Sequence, residues 1–183
     1  MVAEGFPSRD QGILKRGFKI MNIGIISDTH DHLVKIGEAV KIFNEKQVDA
    51  VIHCGDFIAP FAIKPFKNLP CPFYAVFGNN DGERKGLLKA MREIDGELRD
   101  SPHVFNLDEK IIYVCHEPVK EFDIRRLESR PDFILFGHTH EPERTKVAGV
   151  PAINPGEACG WLSGRGTAGL LNIRSGEYTG ISL

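Results

Sequence analysis

The sequence predicts an α/β protein, a four-layer αββα sandwich in which two mixed sheets pack face to face and helices cover the outside. Short apolar runs alternate with segments of helical periodicity in the first two thirds of the chain, and short alternating strands with Gly and Pro turns follow. At 183 residues and 42% hydrophobic composition, the chain has material for one core. We therefore expect one domain over residues 20–183, with residues 1–19 as a peripheral extension or a misassigned start.

The first elements follow from apolar runs that are rich in β-branched residues. Residues 21–27 and 48–53 predict buried strands, and residues 34–46 between them have the periodicity of a helix with one apolar face. A short helix over residues 61–68 and a strand over residues 73–77 come next. This order predicts parallel strands joined by helical crossovers.

The middle of the chain predicts two further helices and three strands. Residues 84–95 suit a helix, residues 104–107 and 110–115 suit a hairpin, and residues 119–129 suit a helix that ends before a proline. The apolar run over residues 133–136 predicts another strand.

The last third of the chain predicts mainly antiparallel strands. These cover residues 144–148, 150–154, 168–173 and 177–183. A first part in which strands alternate with helices, followed by segments rich in strands, predicts the two-sheet sandwich.

Composition and charge exclude several functional classes. A net charge of -2 gives no basic field for a nucleic-acid partner, and no apolar run approaches the roughly 18 residues of a membrane span. Four well-separated cysteines and no recognisable secretory signal predict a reducing, cytoplasmic location. Homo-oligomerisation is left open.

Seven polar side chains follow the ends of apolar runs at positions that suit metal ligands. They are Asp28, His30, Asp56, Asn79, His116, His138 and His140. Open α/β sheets bind ligands beyond the carboxyl ends of their strands. Side chains two apart in extended backbone point the same way, so Asp28 with His30, and His138 with His140, are expected to face one cavity.

The seven side chains divide into donor sets for two ions. Asp28, His30, Asp56 and His140 suit one ion, whereas Asn79, His116 and His138 suit a second, with the Asp56 carboxylate bridging both. The mixed oxygen and nitrogen donors suit Mn²⁺ first, and also Ni²⁺, Fe²⁺, Co²⁺ or Zn²⁺. Two ions about 3.5–4 Å apart ionise a bridging water to hydroxide and hold a phosphoryl group for attack. The pattern therefore predicts a two-metal phosphoesterase in which Asp56 sets the catalytic geometry.

These segments resemble the five motifs of the calcineurin-like metallophosphoesterase superfamily, from residue 21 onward. The Ser-Asp-Thr-His-Asp-His run from residue 27, Gly-Asn-Asn-Asp at 78–81 and Ile-Asn-Pro-Gly at 153–156 are similar to its small prokaryotic phosphodiesterase branch. The resemblance implies the metallophosphoesterase fold, a dinuclear site activated by Mn²⁺ or Ni²⁺, and a small phosphodiester substrate.

Two positions depart from that pattern. Larger members place a histidine after the motif asparagine, where this chain has Asn80, so protonation of the leaving group is expected to fall to Asp81 or to water. The branch commonly continues from His116 with glycine and histidine, where this chain has Glu117 and Pro118.

Other polar residues have structural expectations. His53 and His32 are expected to make structural hydrogen bonds, and His103 is expected in an exposed loop. Cys54 and Cys115, which precede motif segments, are expected to pack as small apolar side chains. Residues 154–156 are expected to form a turn, and Arg165 is expected either to meet a phosphate or to face solvent.

Two rival functions remain open at this stage. The same pair of cations would serve a phosphomonoesterase or nucleotide pyrophosphatase. The resemblance also extends to a retromer subunit with an impaired metal site, so a protein-binding scaffold is the alternative of another class.

Overall fold

Two sheets carry the fold of residues 22–183, the part of the chain that this computed structural model describes. The strands are β1 (Asn22–Ile26), β2 (Ala50–His53), β3 (Phe73–Val76), β4 (Glu97–Arg99), β5 (His103–Leu107), β6 (Lys110–Val114), β7 (Phe133–Leu135), β8 (Pro142–Val147), β9 (Val150–Pro155), β10 (Thr167–Asn172) and β11 (Tyr178–Ser182). The helices are α1 (Leu33–Glu45), α2 (Arg84–Glu93) and α3 (Glu121–Arg125), with a 3₁₀ helix over Pro60–Asn68. The predicted extension, residues 1–19, lies outside the described residues, and the domain boundary at residue 20 stays a prediction.

Both sheets are mixed, as predicted. The six-stranded sheet has the order β11-β10-β1-β2-β3-β4, with β1 to β4 parallel and β10 antiparallel to β1. The five-stranded sheet has the order β5-β6-β7-β9-β8, with β6, β7 and β9 parallel between antiparallel edges. The predicted αββα sandwich is confirmed.

Alternation along the strands separates the core into layers. Ile23 and Ile25 of β1 face the core between the sheets, together with Ile112 of β6. Ile26 of β1 packs instead with the helices on the outer face of the first sheet. Tyr113 of β6 packs outward on the second sheet. This period of two fixes the direction in which each strand end points.

The two outer layers differ in thickness. The first sheet is covered by α1, α2 and the 3₁₀ helix. The Phe43 ring of α1 packs so closely on Gly24 of β1 that any side chain at residue 24 would clash with it. The helix predicted over residues 119–129 is shorter in the structure, where α3 covers only Glu121–Arg125. Ile124 is the one buried residue of α3, so little packing holds a longer helix. The predicted helix over residues 61–68 is 3₁₀, and Pro65 within it has no N–H for an α-helical bond.

Strand β4 was not predicted. It has only three residues, with one apolar residue between two charged ones, which is too short to show the alternation of a strand. None of the helices in residues 22–183 is long and apolar enough to cross a membrane.

Candidate metal centre

The seven predicted side chains come together where the two sheets present the carboxyl ends of their parallel strands. Asp28 follows β1, Asp56 follows β2, and Asn79 follows β3 in the first sheet. His116 follows β6, and the segment that carries His138 and His140 follows β7 in the second sheet. Each sheet therefore supplies one wall of the site.

A first donor set surrounds the Asp28 carboxylate. Asp28 Oδ1 lies 3.9 Å from His30 Nε2 and 3.5 Å from His140 Nε2. Asp56 Oδ2 lies 3.6 Å from the same His30 nitrogen. Two imidazole nitrogens and two carboxylate oxygens thus surround one point.

A second donor set lies on the other side of Asp56. Asn79 Oδ1 is 2.8 Å from His116 Nε2 and 2.9 Å from His138 Nδ1, and these two nitrogens are 3.3 Å apart. His116 Nε2 is 3.4 Å from Asp56 Oδ2. The same Asp56 oxygen therefore faces both donor sets.

The loops reach this arrangement with left-handed backbone at five of the seven residues. Asp28, His30, Asp56, His138 and His140 all have positive φ, between 37° and 68°. Both pairs face the site as expected, but the extended backbone expected for them is wrong, because all four residues have left-handed backbone. Such backbone is uncommon for residues other than glycine and clusters at functional sites.

The donor atoms fit divalent cations because their lone pairs are directed into the site. Asp28 Oδ1 is buried yet makes no hydrogen bond within residues 22–183, and neither does His30 Nε2. His116 Nδ1 lies 2.9 Å from the Cys54 carbonyl, which only accepts, so Nδ1 carries a hydrogen, and in the neutral ring the Nε2 lone pair faces Asn79. A buried carboxylate oxygen without a donor is costly unless a cation is bound.

Charge and burial act against each other at the carboxylates. Burial favours a higher pKa for Asp56, but His116 in its protonated form, through its hydrogen bond and its charge, and the hydrogen bonds from Asn80 outweigh burial and hold the pKa well below its ordinary value. Burial also raises the pKa of Asp28, against opposing contributions from Ser27 and His116. Asp56 is thus an ionised carboxylate at neutral pH.

Glu157, which the sequence analysis missed, is fully buried after β9. Its Oε2 accepts from His140 Nδ1 at 2.9 Å and from Cys159 Sγ at 3.0 Å. Its Oε1 accepts from the backbone N–H groups of Leu162 and Ser163. Burial acts to raise the pKa of Glu157, but these donors lower it to about 2. A carboxylate just past the end of another predicted strand, directly after Gly156, was the signal that could have found it.

Asn80, which stands where larger members have a histidine, and Asp81, the expected proton donor, take different positions. Asn80 donates to both Asp56 oxygens, from its backbone N–H at 2.9 Å and its side-chain amide at 2.7 Å. Asp81 is buried, and its carboxylate accepts the backbone N–H groups of Asp56, Phe57, Ile58 and Gly78. Asp81 therefore joins the loops after β2 and β3 to each other.

The remaining expectations have mixed outcomes. Buried His53 lies 3.1 Å from Thr29 Oγ1 and accepts the Gly55 N–H, which confirms a structural role. His103 is half-buried in β5 against Phe105, so the exposed loop expected there is wrong, because the strand pairs it with Val114.

Three residues named in the sequence analysis lie outside the donor sets. Asn154 donates to the Gly137 carbonyl and Thr139 Oγ1, so it holds the loop after β7. His32 stacks on Trp161 with 4.5 Å between ring centres. Arg165 lines a separate groove of about 560 Å³.

A cleft of about 720 Å³ opens beside the second donor set, where Asn79 and His116 form part of its wall. Arg84 is the one basic side chain among the described residues that line it, and an ion pair with Asp100 occupies that guanidinium. Glu117 and Asp123 also line the cleft and are exposed. The cleft therefore carries excess negative charge next to the donor set.

Comparison with known proteins places this geometry in a family. Residues 21–176 match the calcineurin-like phosphoesterase superfamily domain. The chain is similar to phosphodiesterase MJ0936 of Methanocaldococcus jannaschii, with 42% identity over 167 residues that cover 89% of this chain and 99% of that protein. A solved structure described as a novel archaeal phosphodiesterase has a TM-score of 0.82 at 41% identity and covers 89% of this chain and all of the other. Vps29 of Chaetomium thermophilum, at 15% identity, shares the fold with a TM-score of 0.65 over 91% of this chain and 96% of its own.

Proposed function

Because this chain belongs to the calcineurin-like phosphoesterase superfamily, we propose that it is a phosphodiesterase with a dinuclear divalent-metal centre built from the two donor sets. The observation that carries the proposal is the position of Asp56 Oδ2, which lies 3.6 Å from His30 Nε2 on one side and 3.4 Å from His116 Nε2 on the other. One carboxylate oxygen shared by two donor sets suits a bridging ligand. When bound, the two ions would supply a hydroxide as nucleophile and would neutralise charge on the phosphoryl oxygens.

Seven side chains supply the donor atoms, and neighbouring groups of the chain orient them. Asp28, His30 and His140 complete the first subsite with Asp56, while Asn79, His116 and His138 complete the second. Asn80 orients Asp56 by donating to both of its oxygens. Glu157 and the Cys54 carbonyl fix the hydrogens of His140 and His116 on the nitrogens that face away from the site.

The proposed role of Asp81 differs from the proton donation expected from the sequence, whereas Asn80 was not expected to donate a proton. The Asn80 amide hydrogens face a carboxylate, and an amide is no acid at neutral pH. Four backbone donors occupy the Asp81 carboxylate. We assign both residues positioning roles, so water protonates the leaving group, and good leaving groups such as p-nitrophenolate are favoured over alkoxides.

The cleft charge favours a diester over the rival substrates. A monoester dianion or a pyrophosphate brings more negative charge than a diester monoanion. The cleft offers no unpaired cation among its described lining residues, because Arg84 is paired with Asp100. Glu117 and Asp123 oppose further negative charge. This cleft suits an uncharged ester substituent, such as the second one that a diester carries and a monoester lacks.

The scaffold alternative is less well supported. A scaffold has no need to keep seven donor side chains directed at one point with a buried Asp28 oxygen free of hydrogen bonds. The mixed nitrogen and oxygen donors support Mn²⁺ as the native ion, with Ni²⁺, Fe²⁺, Co²⁺ and Zn²⁺ as alternatives. A cytoplasmic location, the absence of a nucleic-acid partner and homo-oligomerisation stay predictions.

Removal of the shared carboxylate tests the proposal. Asp56→Asn should lower the bound Mn²⁺ from two ions per chain to one or fewer, and should lower the rate on bis-p-nitrophenyl phosphate by about 100-fold or more. Elemental analysis and a chromogenic assay measure the two effects. His103→Ala, which lies on β5 outside the donor sets, is the control and should keep both. Equal losses in the two variants, or no Mn²⁺ in the wild type, would contradict the proposal.

A further inference from the structure

Cys159 stands apart from the other cysteines in its surroundings. Cys54 and Cys115 belong to the apolar clusters of the core, and Cys71 packs against one of them. Cys159 is buried but belongs to none of the apolar clusters formed within residues 22–183. Its thiol donates to Glu157 Oε2 at 3.0 Å. A buried free cysteine usually serves as a small apolar side chain, and only Cys159 among the four lacks such a setting.

The Cys159 sulfur lies within reach of the first donor set. Its Sγ, one ring nitrogen of His30 and one of His140 all lie within 4.8 Å of one another. Asp28 Oδ1, which is fully buried and without a hydrogen bond in the described part of the chain, points at the same two imidazoles. The thiol and the two imidazoles therefore lie together, and the unpartnered Asp28 oxygen borders the same two imidazoles.

We propose that Cys159 is an additional ligand of the first subsite, engaged by thiophilic cations such as Cd²⁺, Zn²⁺ or Co²⁺ and left unused by Mn²⁺. This inference rests on the proposed metal centre and adds a donor that the centre does not otherwise include. Thiolate is a soft ligand, whereas Mn²⁺ favours carboxylate, amide and water oxygens. As the metal–sulfur bond forms, the thiol proton passes to solvent, and no electron is transferred.

Glu157 explains why the thiol stays out of the site when a hard cation is bound. The Cys159 thiol donates to Glu157 Oε2 at 3.0 Å, so the sulfur is already engaged in a hydrogen bond. Only a cation with high affinity for sulfur displaces that bond and its proton.

The added ligand has a consequence for activity. Cys159 would raise the protein ligands of the first subsite from four to five, which leaves no position for water or substrate on a cation that prefers four ligands, whereas Mn²⁺, which takes six, keeps positions open. Cd²⁺ or Zn²⁺ in the first subsite should therefore bind tightly and support less turnover than Mn²⁺.

Cobalt provides the test because Co²⁺ reports its ligands by absorption. The wild-type protein loaded with Co²⁺ should show a sulfur-to-cobalt charge-transfer band in the near ultraviolet together with visible ligand-field bands. Cys159→Ser should lose the charge-transfer band and keep the ligand-field bands, while Cys71→Ser should keep both. Cys159→Ser should also bind Cd²⁺ about 10–100-fold more weakly, with Mn²⁺ affinity unchanged.

The outcomes separate this inference from the proposed function. Visible bands without a charge-transfer band in the wild type, or a charge-transfer band that survives in Cys159→Ser, would overturn the role of Cys159 alone. Absence of bound Co²⁺ would overturn the metal centre as well. If the variant does not fold, cadmium NMR of the wild type decides, since a thiolate ligand shifts the resonance strongly downfield of one with only nitrogen and oxygen ligands.

Discussion

Glu157 links an active-site imidazole to a loop that the donor sets do not otherwise include. The same carboxylate accepts from His140 Nδ1 and from the backbone of Leu162 and Ser163. A carboxylate behind a ligating histidine fixes its tautomer and increases its basicity. The orientation of His140 and the fold of the loop after β9 therefore depend on one charged side chain.

Replacement of that charge should weaken metal binding without altering any proposed ligand. Glu157→Gln keeps the size of the side chain but loses the charge, so we expect the Mn²⁺ affinity of the first subsite to fall about 10–100-fold. Calorimetric titration with Mn²⁺ measures it. Glu143→Gln, on exposed β8, is the matched control and should bind like the wild type. Identical affinities in the two variants would show that Glu157 does not support the subsite.

At the scale of the residue, the sequence predicted best those candidate ligands that directly follow apolar runs. All seven candidate ligands were predicted because aspartate and histidine recur after apolar runs. Glu157 and Cys159 were missed because the Asn-Pro-Gly sequence before them predicts a turn, so they look like ordinary loop residues. That expected turn is wrong at residues 154 and 155, which β9 includes because they pair with β8. Their role depends on contact with His140, which lies 17 positions away from Glu157 in the chain, and no local pattern reports that contact.

The loops after the parallel strands place the donors, and glycine lets two of these loops pass close to each other. Gly78 follows β3, and a Cβ there would collide with the carboxylate and the amide nitrogen of Asp56. Gly78 also donates its N–H to Asp81 at 2.7 Å. The missing side chain at residue 78 is therefore what lets Asp56 occupy the point between the donor sets.

Addition of a single methyl group at this contact should displace the bridging carboxylate. Gly78→Ala is expected to lower diester hydrolysis by about 100-fold, the usual effect of moving a catalytic group by about 1 Å. Gly82→Ala provides a control from the same segment, because a Cβ there meets nothing within 4 Å. Rates on bis-p-nitrophenyl phosphate, with thermal melts to confirm folding, distinguish the two. A Gly78→Ala enzyme as active as Gly82→Ala would show that the loops tolerate separation.

Elements with a long apolar pattern were predicted well, and elements held by tertiary contacts were not. Helix α1 was predicted to within one residue because its apolar face repeats over thirteen positions. Strand β4 has only three residues and gains its place by pairing with β3. The stretch around α3 has helix-forming residues, but only one buried anchor keeps it helical, so most of the predicted helix is absent.

At the scale of the whole molecule, packing of one sheet on the other creates the site. The first sheet supplies Asp28, His30, Asp56 and Asn79, and the second supplies the imidazoles of His116, His138 and His140. The core between the sheets, which includes Ile25 and Ile112, sets their separation. The sandwich could be predicted from the sequence, but the cleft beside His116 could not, since its walls come from distant loops.

That cleft leads to a prediction about substrate choice. If Glu117 and Asp123 disfavour additional negative charge, the double variant Glu117→Gln/Asp123→Asn should hydrolyse p-nitrophenyl phosphate about 2–5-fold faster relative to bis-p-nitrophenyl phosphate. The effect is modest because both carboxylates are exposed and screened. It should shrink as salt is raised, because the Debye length falls to about 3 Å at 1 M.

A matched pair of acids outside the cleft separates local from overall charge. Glu45→Gln/Glu93→Gln removes the same charge from exposed positions at the ends of α1 and α2 and should leave the ratio of monoester to diester rates at its wild-type value. Steady-state rates for both substrates at low and high salt complete the comparison. An equal change in both double variants would mean that net charge sets the preference, whereas no change in either would mean that the donor sets alone select the diester.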